Sequence, residues 1–174
     1  MHREYLLGRV SVSIEHGVLY VVATPIGNLS DISPRGLETL TEVDEILAED
    51  TRHSRRLLKT FGIDTRMTSF HAHNEQRRSS KVIQRMVDGE SLALISDAGT
   101  PLVSDPGCHL VKHTLANGIK VIPVPGPCAL ACALSISGIN ASQFVFGGFL
   151  PAAARARRRR LQTLTSESNT LVFY

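Results

Sequence analysis

The chain has 174 residues, 43% of them apolar and 20% charged, with a formal net charge of +3. That length suits one full domain and the start of another, and the balance is that of a globular protein, with apolar runs far too short to cross a bilayer. The net charge alone does not announce a nucleic-acid binder, but its distribution is uneven, because Arg155, Arg157, Arg158, Arg159 and Arg160 are clustered. Residues 1–17 mix Arg3, Glu4, Arg9 and Glu15 with short apolar pieces. They carry no signal-peptide core or cleavage pattern, so they read as an N-terminal extension of a cytoplasmic protein. Residues 18–23 are a continuous apolar strand that runs into Thr24-Pro25-Ile26-Gly27-Asn28. A helix follows, with Ser33 as its cap, Pro34 in its first turn and Leu37, Leu40 and Val43 on its apolar face. A second strand at 45–48 ends at Glu49-Asp50-Thr51, and a helix over 52–60 stops at Gly62. The third strand, 66–70, ends in His71-Ala72-His73-Asn74. Helical spacing through Val82, Ile83, Met86 and Val87 covers 75–87. The fourth strand is 92–95, followed by a helix over 106–117 for which Asp105-Pro106 supplies the opening. The fifth strand, 120–124, enters Pro125-Gly126-Pro127 and a helix over 128–136.

The order βαβαβαβαβα implies an α/β fold with a mostly parallel sheet and helices on its faces. The strand ends at 24–28, 49–53, 71–74, 96–101 and 125–128 then share one edge, where open α/β sheets bind ligands. After Gly138 the character changes. A strand at 144–146, a junction through Gly147, Gly148, Phe149, Leu150 and Pro151, an arginine-rich helix to about 165 and a strand at 170–174 read as a junction and the beginning of an incomplete second domain, 141–174. The main α/β domain is 18–140.

The loop after the fourth strand, 96–107, holds two glycines, two prolines, Asp97 and Asp105. So many constrained residues favour a ligand-binding turn over a plain connection. At Glu49-Asp50-Thr51-Arg52-His53, N-capping accounts for Asp50 and leaves Glu49, Arg52 and His53 spare. His71 and His73 face a substrate or are solvated loop residues. His109 and His113, four apart on a helix with no third ligand nearby, read as a surface or packing pair, so no metal is expected. The Pro125–Cys128 bend offers main-chain N–H groups to polar ligand atoms, while Ala129, Ala131 and Ala133 offer the plainer explanation of close packing on the sheet. Cys108, Cys128 and Cys132 show no paired spacing and read as reduced thiols. The five arginines repel one another, which favours a phosphate-rich partner over a solvated helix face. Neither G-x-G-x-x-G nor G-x-x-x-x-G-K-[ST] occurs, which removes the simplest dinucleotide and P-loop readings.

Six segments together closely resemble one family: 21–32, 48–53, 71–75, 96–107, 123–129 and 148–151. The chain resembles the ribosomal RNA small subunit methyltransferase I family, a branch of the tetrapyrrole methylase superfamily of class III S-adenosylmethionine methyltransferases, from about residue 18 to 174. The resemblance implies a homodimeric enzyme that methylates the ribose 2′-hydroxyl of a cytidine in the decoding centre of 16S rRNA. Neither DNA nor a membrane is expected as a partner. It implies cofactor contacts at Pro25, Ile26, Gly27, Asp97, Gly99, Thr100, Gly126, Cys128 and Ala129. Position near the sheet's carboxyl edge makes Glu49, Asp50, His53, His71 and Asp105 unranked candidates for the base that takes the hydroxyl proton. Arg52 and the cluster Arg155, Arg157, Arg158, Arg159 and Arg160 are the expected RNA phosphate contacts. Family members continue into a second domain, so this chain is expected to hold part of the cofactor cleft. Methylation of a tetrapyrrole or another small molecule, and a non-catalytic RNA-binding or dimerisation module, are the competing readings.

Overall fold

The computed structural model describes residues 14–174; of the expected N-terminal extension, residues 1–13 lie outside the described residues. Residues 14–17 are stitched to the body. Glu15 pairs with Lys120 at 2.7 Å, and Gly17 N–H donates to the Gly89 carbonyl at 3.0 Å.

Five parallel strands form the sheet: β1 Leu19–Val22, β2 Glu45–Ala48, β3 Met67–Ser69, β4 Leu92–Ile95 and β5 Val121–Val124, in the order β3-β2-β4-β1-β5. Residues of successive strands alternate between faces, so two cores form, one per face. On one face Tyr20, Val22, Ile46, Ala48, Ala93 and Ile95 meet Leu40 and Val43, at the end of α1 (Pro34–Glu42), and Leu58 of α2 (Thr51–Thr60). On the other, Leu19, Leu47, Leu92 and Leu94 meet Val82, Ile83 and Met86 of α3 (Glu75–Val87) and Leu110 of α4 (Cys108–Ala116). Ser33 caps α1 as its sequence predicts, its Oγ accepting from Gly36 N–H at 3.0 Å, and Asp50 caps α2.

The start of α4 differs from the expectation. Asp105-Pro106 does not open it. Gly107, at φ +120°, is the N-cap and supplies no side chain. The buried carboxylate of Glu75 on α3 accepts from Leu110 N–H at 2.9 Å instead. Glu75 thus satisfies one of the four orphan donors of α4 from a neighbouring helix, and Asp105 is released for the loop. An added Cβ at Gly107 would lie 2.6 Å from Leu94 Cδ2, so close approach as well as backbone conformation requires glycine there.

The helix after β5, α5 (Ala129–Ile136), buries none of its residues, so the close packing of its alanines on the sheet, the plainer of the two readings of this bend, does not occur. Ile136 is 87% exposed. A separate two-stranded parallel sheet pairs β6 (Phe144–Phe146) with β7 (Thr170–Val172), linked by α6 (Ala154–Gln162). Among the described residues no helix is long and apolar enough to cross a membrane.

Connections set the site. From β1 the chain leaves over one face toward β2; from β4 it leaves over the opposite face toward β5. β1 and β4 are neighbours, so the connections that leave their carboxyl ends part to opposite faces and leave a crevice at that edge.

Candidate functional site

The loops leaving β1 and β4 are held together by main chain. Thr24 N–H donates to the Gly99 carbonyl at 2.9 Å and Gly99 N–H to the Thr24 carbonyl at 3.0 Å, while Thr24 Oγ1 donates to the Ser96 carbonyl at 3.1 Å. Gly99 takes φ +83° at this bridge, a value that favours glycine. Further along, Leu102 (φ +70°) and Ser104 (φ +72°) are left-handed without being glycine. Each such residue costs about 1–3 kcal/mol, and strain of this kind concentrates at functional loops. The loop leaving β2 joins through Asp50 N–H, which donates to Asp97 Oδ1 at 3.1 Å. The loop leaving β5 joins through Thr100 Oγ1, which donates to the Pro127 carbonyl at 3.1 Å.

The result is a cleft of about 510 Å³ that gathers Ile26, Glu49, Asp97, Gly99, Thr100, Asp105 and Ala129, all singled out in the sequence. A second hollow of about 460 Å³ lies on the other side of Ile26 and Asp97 and takes in Pro25, Gly27 and His53. Gly126 packs against the end of β1, where an added Cβ would stand 3.0 Å from Ala23 Cβ. Cys128 is the N-cap of α5 and makes no side-chain capping bond.

The cleft is acidic. Burial pushes the Glu49 carboxyl above its ordinary value, and the nearby charges of Asp97 and Asp105 push the same way. Asp105 is raised by burial and by Asp97, with a hydrogen bond from Ser96 acting against them. Asp50 behaves oppositely. Its hydrogen bond with the Arg52 side chain, at 3.0 Å, holds it down to about 2. A carboxylate so stabilised is a weak base, whereas Glu49 and Asp105 hold a proton more readily.

The remaining candidates stand apart. His71 closes a local turn at the end of β3, with Nε2 3.2 Å from Asn74 Nδ2 and a buried Nδ1 that has no partner. Arg52 projects from the rim, 90% exposed. Arg155, Arg157, Arg158, Arg159 and Arg160 are exposed on α6, and Arg157 donates to the Pro151 and Ala152 carbonyls at 3.3 and 2.9 Å. His109 and His113 stack with ring centroids 4.1 Å apart, and His109 Nδ1 lies 3.2 Å from Ser79 Oγ.

Sequence reasoning did not single out five further residues of the cleft: Ala98, Val103, Ser104, Phe149 and Tyr174. Tyr174 N–H donates to the Gly148 carbonyl at 2.9 Å, its hydroxyl accepts from Leu130 N–H at 3.3 Å, and its ring lies 5.5 Å from that of Phe149. Both aromatic residues come from the segments bordering β6 and β7 and wall the cleft from above the rim. The motif at Gly148-Phe149-Leu150-Pro151 was the available signal for Phe149; nothing local marked Tyr174.

A profile of the tetrapyrrole (corrin/porphyrin) methylases matches residues 18–174. Among curated proteins, the ribosomal RNA small subunit methyltransferase I of Pseudomonas aeruginosa is 58% identical over 91% of this chain and 56% of its own length. The proteins of the same name from Haemophilus influenzae and Escherichia coli O157:H7 are 52% and 49% identical over 91% and 94% of this chain, and 56% and 57% of theirs. The chain therefore spans little more than half the length of these relatives. Among solved structures, diphthine synthase superposes with TM-score 0.69 at 18% identity over 90% of this chain and 64% of that one. Uroporphyrin-III-C-methyltransferase from Thermus thermophilus superposes with TM-score 0.62 at 18% identity, covering 84% and 74%. These likenesses bear out the mostly parallel α/β fold and the resemblance carried by the six sequence segments: the chain belongs to the tetrapyrrole (corrin/porphyrin) methylase family.

Proposed function

We propose that this chain is the cofactor-binding part of a cytoplasmic, homodimeric S-adenosylmethionine-dependent methyltransferase that acts on 16S rRNA at the ribose 2′-hydroxyl of a decoding-centre cytidine. The observation that carries the reading is the acidic, main-chain-lined cleft at the switch point between β1 and β4. The cofactor is cationic at its sulfonium and its ammonium group. A half-buried trio of carboxylates complements that charge, and loops cross-linked by main-chain hydrogen bonds present fixed polar groups without reorganisation. The site residues fit such a group. When bound, S-adenosylmethionine supplies an already electrophilic methyl carbon, which leaves the protein the tasks of alignment and water exclusion.

Ile26, Asp97, Gly99, Thr100 and Ala129 are the contacts to the donor in this reading, with Pro25, Gly27, Gly126 and Cys128 supporting them from the same loops. Phe149 and Tyr174 cover the cleft and keep water out. The nucleophile is a ribose hydroxyl, which attacks once its proton is transferred. Glu49 and Asp105 are the bases of choice, because they line the cleft and their raised proton affinity suits the transfer. Asp50 is committed to Arg52, and neither His53 nor His71 lines that cleft. Arg52 and the α6 arginines are the phosphate contacts. Residues 141–174 form the junction and beginning of a second domain.

The rRNA substrate is favoured over a tetrapyrrole by the names of the relatives at 49–58% identity, whereas the likeness to the uroporphyrin enzyme is one of fold at 18%. Titration calorimetry tests donor binding. Asp97→Ala weakens it ten- to a hundredfold, the loss of one charged hydrogen-bond partner. Asp97→Asn, which keeps the acceptor for Asp50 N–H, separates the charge from the loop geometry. Undiminished affinity in both variants overturns the cleft assignment. Methyl incorporation into unmodified small ribosomal subunits, assayed in the full-length enzyme, drops about 10²- to 10⁴-fold on replacing the true base, Glu49→Gln or Asp105→Asn, while donor affinity holds.

A further inference from the structure

A hollow larger than the cleft lies outside it, and it is basic. A groove of about 820 Å³ runs along β3, the end strand of the five-stranded sheet, between the start of α2 and the outward side of α3. Five cations line it, Arg66, Arg77, Arg78, Lys81 and Arg85, and no carboxylate does. Two of them are already engaged. Arg66 and Arg85 both bind Glu45, which is buried on β2, and Arg85 also binds Glu90. Arg77, Arg78 and Lys81 form no ion pair among the described residues. They stand within a single turn of α3, at spacings of one, three and four residues, where like charges destabilise a helix unless an anion meets them.

The groove also has a position. Thr51, at its upper end, is two residues from Glu49 in the acidic cleft, and Ser69 ends β3 at the same rim. A strand entering the cleft therefore meets the mouth of the groove as it leaves. An acidic cleft repels phosphates, so a polynucleotide that presents a ribose to it needs its backbone held elsewhere close by.

We propose that the groove beside β3, through Arg77, Arg78 and Lys81, holds the phosphodiester backbone of the RNA strand flanking the nucleotide in the cleft. The proposal rests on the rRNA reading above and adds a contact surface distinct from Arg52 and α6. Three exposed or half-buried cations bind as point charges and carry no base specificity.

The test uses the chain as it stands and a fluorescein-labelled oligoribonucleotide of small-subunit decoding-region sequence, with affinity measured between 50 and 200 mM salt. The triple variant Arg77→Gln, Arg78→Gln, Lys81→Gln is expected to weaken binding at least tenfold at the lower salt. It lowers the slope of log affinity against log salt by about 2, from three lost contacts to a single strand. The comparison variant Arg158→Gln, Arg159→Gln, Arg160→Gln on α6 loses affinity independently, so the two sets of losses add. An unchanged slope in the α3 variant overturns the groove and leaves the rRNA reading standing. Failure of the unaltered chain to bind the RNA overturns the groove as well, while the rRNA reading stands or falls on methyl incorporation by the full-length enzyme. Ultraviolet cross-linking of the unaltered chain guards against misfolding of the variant: adducts within 66–85 are expected, and their confinement to other segments refutes the proposal.

Discussion

Glu49 and Asp105 each sit where ionisation is opposed, by burial first and then by the other acids of the cleft. Because the folded state holds their protons more tightly than the unfolded chain does, folding takes up protons in the window between the two proton affinities. The stabilising contribution is complete below the ordinary carboxylate values, 4.5 for glutamate and 3.8 for aspartate, and is lost as pH rises through the raised folded values. Glu49→Gln removes the opposed charge. It raises the melting temperature at pH 7 by a few degrees at most, and the gain vanishes as the pH approaches 4; thermal melts of both proteins across pH 4–8 check this. A gain that grows toward acid would contradict the assigned direction. The acids themselves were legible in the sequence, since two of them bracket a loop of glycines and prolines. Their mutual influence was not, because Glu49 and Asp97 are far apart in the chain and meet through the parallel pairing of β2 with β4.

At the level of elements, local signals were reliable where neighbours agreed with them. β4 and α3 fall at the bounds read from sequence, Leu92–Ile95 and Glu75–Val87, because an apolar run and a helical spacing each ended at their own breakers. Ser33 likewise caps α1. The start of α4 was misread because Asp105-Pro106 is a sound local cap, and the tertiary carboxylate of Glu75 displaced it. The two caps give contrasting predictions. Ser33→Ala removes a partly buried cap and costs about 1 kcal/mol in urea unfolding. Glu75→Ala leaves a buried N–H on α4 without an acceptor and costs about 1–3 kcal/mol. The α3–α4 interface loosens with it, so hydrogen exchange at Leu110 quickens in the second variant and not in the first.

For the molecule as a whole, the α/β class and the edge that carries the cleft followed from the alternation of strands and helices alone, since parallel strands put every βα loop on one side. The roof of the cleft did not, because Phe149 and Tyr174 reach it from segments beyond the main sheet. If the cleft takes the donor, saturating S-adenosylmethionine at 100 times its dissociation constant stabilises the fold by about 2.7 kcal/mol. α5 has a consequence of a different kind. Ile136 at its end and Ile139 just beyond it are 87% and 60% exposed and leave a bare oily margin on the folded chain. Folded chains should therefore adhere to one another along that margin without unfolding, and more so as ammonium sulfate rises, the reverse of what charge-driven clumping would do. Ile136→Ser with Ile139→Ser should abolish the salt-induced increase in sedimentation coefficient while leaving the melting curve in place.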